Sequence, residues 1–419
     1  MSAVCLKQYI RVMNTQTAGR DYDIALVGAT GFAGSLIAEY LAGHKAAAGL
    51  RIALAGRSRS RLEALRTTLS GSFDLERIDL LEQASVDTLV QKTRVVIAAA
   101  GPYSRYGNLL VASCAGHGTH YVDLSGETPW MRRMIQHHEH AARASGACIV
   151  HACGYDSIPS DLGVLFLQQV MRERGRGTPD AIRYVPGPTE GGFSGGTVAS
   201  MLAMIKEAGS DADTRAALRD PDSLTPDAAA TPRSRKRRRF DPWLRAWTVP
   251  FVMESVNSRI VRRTNALAGH PLGPAPDYRE VISFGSGPAG FLKSCLASLG
   301  MGAFILLLLF PPTRYLLSLT VLPKQGQGPK AAREGRGRFL VTVSGYRTDD
   351  QEPPTRIRVS AERDPGYGAT AIMIAEAALL LVDQAEADCA RPGFQTPATA
   401  FSLPLAERLT AAGVKFVRE

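Results

Sequence analysis

Gly28, Gly31 and Gly34 are spaced GxxGxxG, with Ala29, Thr30, Phe32 and Ala33 between them. The apolar run 23–27 leads into the first glycine, and residues 35–41 carry a helical apolar pattern after the last. Strand, tight turn and helix are therefore expected, and in that context each glycine has a mechanical reading. Gly28 permits the sharp turn, Gly31 lets main-chain N–H groups approach a pyrophosphate, and Gly34 allows helix and strand to pack closely. Thr30 and Phe32 share the turn and join the candidate nucleotide-contacting residues. The second strand, 51–55, runs into Gly56, Arg57 and Ser58, with no Asp or Glu for the ribose 2′-hydroxyl of NAD. A guanidinium can pair with a 2′-phosphate in a fork and stack on adenine, whereas a carboxylate would repel it. Arg57 and Ser58 thus point to NADP(H).

Other positions extend this site. Asp79, just after the third strand, is placed either to meet the adenine edge or to cap the strand end. The fourth strand runs 95–98 and continues through Ala100, Gly101 and Pro102, small residues that let a dinucleotide lie close to the backbone. Tyr103 follows on the expected nicotinamide side. Ligands of doubly wound sheets sit beyond the strand C-termini, so Tyr103, Ser125, Glu127, Tyr155 and Asp156 are expected at one crevice. His151 reads as a satisfied strand-end histidine, and His137, His138 and His140 as a helix surface. The six cysteines show no CxxC and no Cys/His ligand spacing, so neither a metal site nor a disulfide framework is encoded, and a reducing cytoplasm fits.

The elements that must hold these residues follow from periodicity. Strands alternate with helices through about residue 155, which implies a parallel, doubly wound sheet. Beyond 161 the rhythm changes, and 338–347 and 355–361 alternate at period two as half-buried antiparallel strands do. The fold class expected is α/β, a Rossmann-type sheet with a second α+β substrate domain. The boundaries read as an N-terminal extension 1–22, a nucleotide domain 23–160, a substrate domain 161–365 and a C-terminal segment 366–419. With 419 residues, 45% hydrophobic and 21% charged, the chain is long enough for a sizeable core and is neither fibrous nor disordered.

Two stretches stand apart. Net charge is +10, yet six cations (Arg233, Arg235, Lys236, Arg237, Arg238 and Arg239) fall within 233–239, inside a polar insertion 211–242. So local an excess favours a single anionic contact, such as a phospholipid surface, over a nucleic-acid-binding face, and a solvated loop reads equally well. Residues 294–310 carry no charge, and with the run 315–322 they form an apolar segment within 291–322. It fits a hairpin dipping into one leaflet, an acyl-tunnel lining, a short span or a buried core helix. The N-terminal twenty residues lack a secretory signal pattern, so the expected place is the cytoplasm, with peripheral attachment to the inner face of the cell membrane left open.

Together the blocks VGATGFAG at 27–34, LAGRSRSRLEAL at 54–65, AAAGPYSRYG at 98–107, THYVDLSGE at 119–127 and CGYDSIPSDLG at 153–163 resemble the saccharopine dehydrogenase-like oxidoreductases. GGFSGGTVAS at 191–200, GYGATA at 366–371 and GFQTPATAF at 393–401 look like their trans-acting enoyl reductase branch. The resemblance implies a substrate domain inserted into the Rossmann domain, with 366–419 returning to pack partly on it. It also implies NADPH-dependent reduction of a C=C bond in a polyketide or lipid intermediate bound to a carrier or thioester. Such a reaction needs a proton source and donors to the developing enolate, for which Tyr103 and Tyr155 are the candidates, core packing being the other reading of each. Reduction of an imine or amino-acid adduct is the alternative, with Arg259, Arg262 and Arg263 as candidate carboxylate contacts. A catalytically silent, membrane-associated NADP-binding protein is a third reading. A homo-oligomer is compatible with the sequence.

NADPH is expected to bind about tenfold or more tightly than NADH in equilibrium titrations, because a charge-assisted pair contributes roughly 1.5–3 kcal/mol. Arg57→Ala should erase that preference; equal affinities in the unmodified chain would overturn the assignment.

Overall fold

A computed structural model describes residues 19–190, 195–225, 239–310, 312–313, 317, 336–349 and 352–419, with residues 195–198 and 239 described by backbone alone. The chain divides into two units. Met1–Ser125, Arg133–Cys153 and Ala371–Gln395 form the first, and Gly126–Arg132, Gly154–Thr370 and Thr396–Glu419 the second.

Parallel strands build the first unit. Numbered in chain order, β1 (Tyr22–Val27), β2 (Ile52–Gly56), β3 (Asp74–Arg77), β4 (Thr93–Ala98), β5 (His120–Asp123), β6 (Cys148–Val150) and β13 (Gly393–Gln395) form one sheet in the order β13-β6-β5-β4-β1-β2-β3. Ile24, Ala25, Leu26 and Val27 are fully buried, as a central strand covered on both faces requires. Successive strands extend outward in opposite directions from β1 and β4, and a doubly wound sheet opens its ligand crevice at that reversal. The returning segment is fastened within this unit through Glu376, whose carboxylate accepts from the Tyr40 hydroxyl at 2.5 Å and lies 3.0 Å from His44 Nε2.

The boundaries differ from those read in the sequence. Before residue 23, Arg20 already bonds the carbonyls of His117 at 2.7 Å and Val90 at 3.2 Å, so the first unit starts upstream of the apolar run. Its inner boundary falls at Cys153, not 160, because Ile158 N bonds Gly154 O at 2.9 Å and begins a helix that packs on the other sheet. Within 366–419, Ala371–Gln395 belongs to the first unit and Thr396–Glu419 to the second.

The second unit holds a mixed sheet of β7 (Ala181–Pro186), β8 (Arg239–Asp241), β9 (Ala246–Pro250), β10 (Asp277–Ser283), β11 (Phe339–Tyr346), β12 (Thr355–Ala361) and β14 (Lys415–Arg418). Their order is β14-β12-β11-β7-β10-β9-β8, with β7 and β10 parallel and the other pairs antiparallel. Helix Ile158–Glu173 lies on β11 and β12; a Cβ on its Gly163 would stand 3.2 Å from Val343 Cγ2. In its first turn Asp161 accepts from the Thr264 hydroxyl at 2.5 Å and from Ala398 N at 2.8 Å, tying two further helices to it.

The stretch 211–242 is not all insertion. Asp211 caps helix Ala212–Arg219 by accepting from Thr214 N at 2.7 Å, a signal hidden among the neighbouring polar residues. Arg233, Arg235, Lys236, Arg237 and Arg238, and most of 311–322, lie outside the described residues, while Arg239 opens β8.

Burial raises the Asp161 carboxyl from 3.8 to about 7 and that of Glu280 from 4.5 to about 7. Their folded forms hold protons that the unfolded chain releases near pH 4, so this contribution is complete below that point and is lost as pH rises through about 7. Thermal melts should show the second unit's transition falling between pH 5 and pH 7.5, and Asp161→Asn should flatten that dependence.

Candidate active site and cofactor cradle

The glycine turn closes at the reversal of the first sheet. Gly28, with φ +85°, donates its N–H to Ala55 O at 2.9 Å, and Gly31 N returns to Gly28 O at 2.9 Å. A Cβ on Gly28 would stand 3.0 Å from Ala100 Cβ and Ala100 N, so the turn and the end of β4 approach to main-chain contact. A Cβ on Gly34 would lie 2.2 Å from Gly28 O, which makes that glycine the seat of helix Phe32–Gly43 on the turn. Gly31 meets only Gly28 O at 3.2 Å, leaving its outer side open, and as the N-cap it brings no side chain to the helix start. A pyrophosphate fits such a cradle, where small residues and N–H groups replace side chains. Phe32 is buried beneath the turn, and Thr30 O accepts from Arg61 at 3.1 Å.

Beyond β2 the three arginines separate by their partners. Arg59 is committed to Glu63 at 3.1 Å and Leu75 O at 2.9 Å, and Arg61 to Thr30. The exposed Arg57 has no hydrogen bond or ion pair among the described residues, so its fork is available to a phosphate. Ser58 caps helix Arg59–Arg66, its oxygen accepting from Arg61 N at 3.4 Å. Asp79 is exposed, and its Oδ1 accepts from Leu81 N at 3.0 Å, the turn-capping arrangement.

Ala100, Gly101 and Pro102 follow β4 in the loop facing Gly28. Tyr103 then turns inward: its buried hydroxyl donates to Ala98 O at 2.9 Å and accepts from Leu124 N at 3.1 Å. It thereby spans the ends of β4 and β5 beneath that loop. Asp123, which the sequence reading passed over, organises the next strand ends. Its carboxylate lies 2.7 Å from His151 Nδ1 and accepts from Tyr121 OH, Ser125 N and Ala152 N, each at 3.0 Å. A carboxylate and a histidine at adjoining strand ends were the available signal.

In the second unit, Tyr155 is half-buried and meets Phe339 edge-on at 4.8 Å. Its hydroxyl hydrogen-bonds Tyr184 and Thr189, and burial pushes it up to about 12, so it is protonated at neutral pH. Tyr184 in turn pairs with Ser160. Ser160 donates to Glu280 Oε1 at 2.7 Å, which also accepts from Tyr278 OH at 2.6 Å, while Asn257 donates to Oε2 at 2.9 Å. A continuous polar array therefore leads from Tyr155 to a buried carboxyl. No single stretch of sequence carries it, since its members come from two helices, two strands and the turn that holds Tyr155. Asp156 is raised to about 6 by burial alone. Glu127 accepts from the Ser200 hydroxyl at 2.7 Å. Arg259, Arg262 and Arg263 are buried and spent on segment 217–224: Arg259 on Leu218 O at 2.9 Å, Arg262 on Asp222 at 3.4 Å, Arg263 on Leu224 O. Among the described residues no group of three His, Cys, Asp or Glu could hold a metal ion.

Comparisons with known proteins agree with this geometry. Residues 24–150 match the saccharopine dehydrogenase NADP-binding domain. A protein of Mycobacterium tuberculosis named as a trans-acting enoyl reductase is 40% identical over 410 residues, covering 94% of this chain and 97% of the relative. The trans-acting enoyl reductase of Mycobacterium bovis is 35% identical, covering 95% and 97%. Among solved structures, saccharopine dehydrogenase (L-Glu forming) from Saccharomyces cerevisiae superposes with a TM-score of 0.54 at 13% identity, over 95% of this chain and 100% of that one, a likeness of fold.

Gly31→Val should abolish NADPH binding in a fluorescence titration while lowering the melting temperature only slightly, because its one close neighbour is Gly28 O at 3.2 Å. Gly34→Ala should do the reverse in kind, destabilising by about 1–3 kcal/mol as overpacking does. A Gly31→Val protein that titrates normally would make the turn purely structural.

Proposed function

The chain belongs to the trans-acting enoyl reductases of the saccharopine dehydrogenase-like family, and from that premise we propose that it uses NADPH to reduce the C=C bond of a polyketide or lipid intermediate held as a thioester on a separate synthase. The observation that carries this reading is the reach of the similarity, which spans both units and not the cofactor domain alone. Bound NADPH supplies a hydride for the β-carbon.

The remaining tasks fall to side chains: holding the enolate oxygen as charge develops and delivering a proton to the α-carbon. Tyr155 is the proton donor in this proposal. It is protonated at neutral pH, and its proton can be replaced through Tyr184 and Ser160 from Glu280, whose carboxyl is pushed up to about 7. Tyr103 has the other role, since its hydroxyl is held between Ala98 O and Leu124 N, which supports positioning of the 99–102 loop. An imine or amino-acid adduct would call for cations facing its carboxylates. Arg259, Arg262 and Arg263 do not serve, because they are buried and occupied, Arg259 and Arg263 by main-chain carbonyls and Arg262 by the Asp222 carboxylate.

Stoichiometric NADPH oxidation with loss of the double bond is expected for enoyl thioesters and not for imines. Tyr155→Phe should lower kcat by about 10²–10⁴ with NADPH affinity unchanged. The rate should fall as pH rises through about 7, where Glu280 loses its proton, and Glu280→Gln should remove that limb. A Tyr155→Phe enzyme with full activity would overturn the assignment of the donor; NADPH oxidation with imines alone would overturn the reaction.

A further inference from the structure

Helix Gly287–Leu309 is 23 residues long, and only 11% of its most apolar window is buried. A second helical stretch, Pro365–Glu386, is almost as long and apolar, yet 83% of its window is buried. The second is a core helix; the first has most of its apolar side chains outside the protein, Leu308 being a buried exception. Phe304, Ile305, Leu306 and Leu307 are 38%, 47%, 67% and 43% exposed. At about 100° per residue these four consecutive positions point all round the axis. A groove on a partner protein or a second copy of this chain covers one face of a helix, whereas hydrocarbon covers every face. The length, about 34 Å at 1.5 Å per residue, gives the exposed side chains ample reach into hydrocarbon about 30 Å thick, whether the helix tilts or lies along the interface.

The sheet fixes the direction of entry. β10, which precedes the helix, runs parallel to β7, and β11, which follows 310, runs antiparallel to β7. The chain therefore leaves and rejoins the sheet at the same end, so an excursion into lipid must return to the side it entered from. At that end Trp247 meets Phe291 edge-on at 4.9 Å, an aromatic pair at the root of the helix, with the exposed Lys293 two residues further on. Tyr155 stands at the same end of the sheet, against Phe339 at the start of β11 and bonded to Thr189 just past β7.

We propose that helix Gly287–Leu309 inserts into a phospholipid bilayer from one side, as a monotopic anchor, and turns the Tyr155 end of the second sheet toward the lipid surface. The anchor does not depend on the reductase reading. That an acyl chain reaches Tyr155 from the membrane side does rest on it.

The full chain, mixed with vesicles of phosphatidylcholine alone or with added phosphatidylglycerol, is expected to float with both. It should do so even at about 1 M salt, where charges are screened beyond about 3 Å. The variant Leu296→Gln, Leu299→Gln, Ile305→Gln, Leu306→Gln changes only exposed side chains, so its melting temperature and NADPH titration should be unchanged while its bound fraction falls about tenfold or more. Three results would overturn the anchor: a wild type that stays soluble with both vesicles, flotation only with anionic lipid at low salt, or a variant that floats as the wild type does. A wild type that self-associates without binding vesicles, and a variant that becomes monomeric, would instead assign the helix to an interface between copies. NADPH oxidation by a protein that fails to float would leave the reductase reading intact.

Discussion

The cofactor half of this protein depends on one close approach, that of Gly34 to the carbonyl of Gly28. A methyl group at Gly34 would lie 2.2 Å from that oxygen, so helix Phe32–Gly43 could not start where it does with any other residue there. Because it starts there, Gly31 presents an open face at the reversal of the sheet. The end of β4 then comes within contact of Gly28, and Arg61 can reach back to Thr30 O. The cradle is thus made by excluding side chains, and beside it stands the exposed Arg57, without a hydrogen bond or ion pair among the described residues and proposed as the contact to a 2′-phosphate.

The second unit works in the opposite way, by burying polar groups and satisfying them. Glu280 accepts from Ser160, Tyr278 and Asn257, and these donors favour its charged form. Burial nevertheless wins and raises its carboxyl to about 7. A group held so near neutrality is costly as a structural element and useful as a proton reservoir. Tyr155 is the half-buried end of this array, and the difference between its environment and that of Tyr103 separates two tyrosines that look alike in sequence. One hydroxyl is locked between main-chain groups of neighbouring strands; the other is linked to ionisable chemistry.

Two long apolar helices make a comparable pair. Their hydropathies are 2.0 and 1.5, and composition alone does not say which one faces a core. The sheets decide it. Residues 371–382 are enclosed by the first unit, whereas Gly287–Leu309 departs from a sheet end and, past its contact with Trp247, keeps most of its apolar side chains exposed.

The sequence by itself determined the glycine turn of an NADP-binding domain and the parallel, doubly wound character of the strands through β6, and it singled out Arg57 as the expected partner of a 2′-phosphate. These are local consequences of residue type: glycine where a Cβ cannot fit, unbroken apolar runs where both faces are buried, and the lack of an acid after β2. It also located the uncharged run and Tyr155. Only the tertiary structure decided what surrounds them. Helix Ala212–Arg219 escaped notice because its cap, Asp211, is one acid among many. Asp123 was passed over because its meaning lies in His151, which reaches it from another strand. The Glu280 array depends on Tyr184, Ser160, Asn257 and Tyr278 meeting across elements distant in the chain, and burial of a carboxyl is a property of that assembly and not of any residue within it.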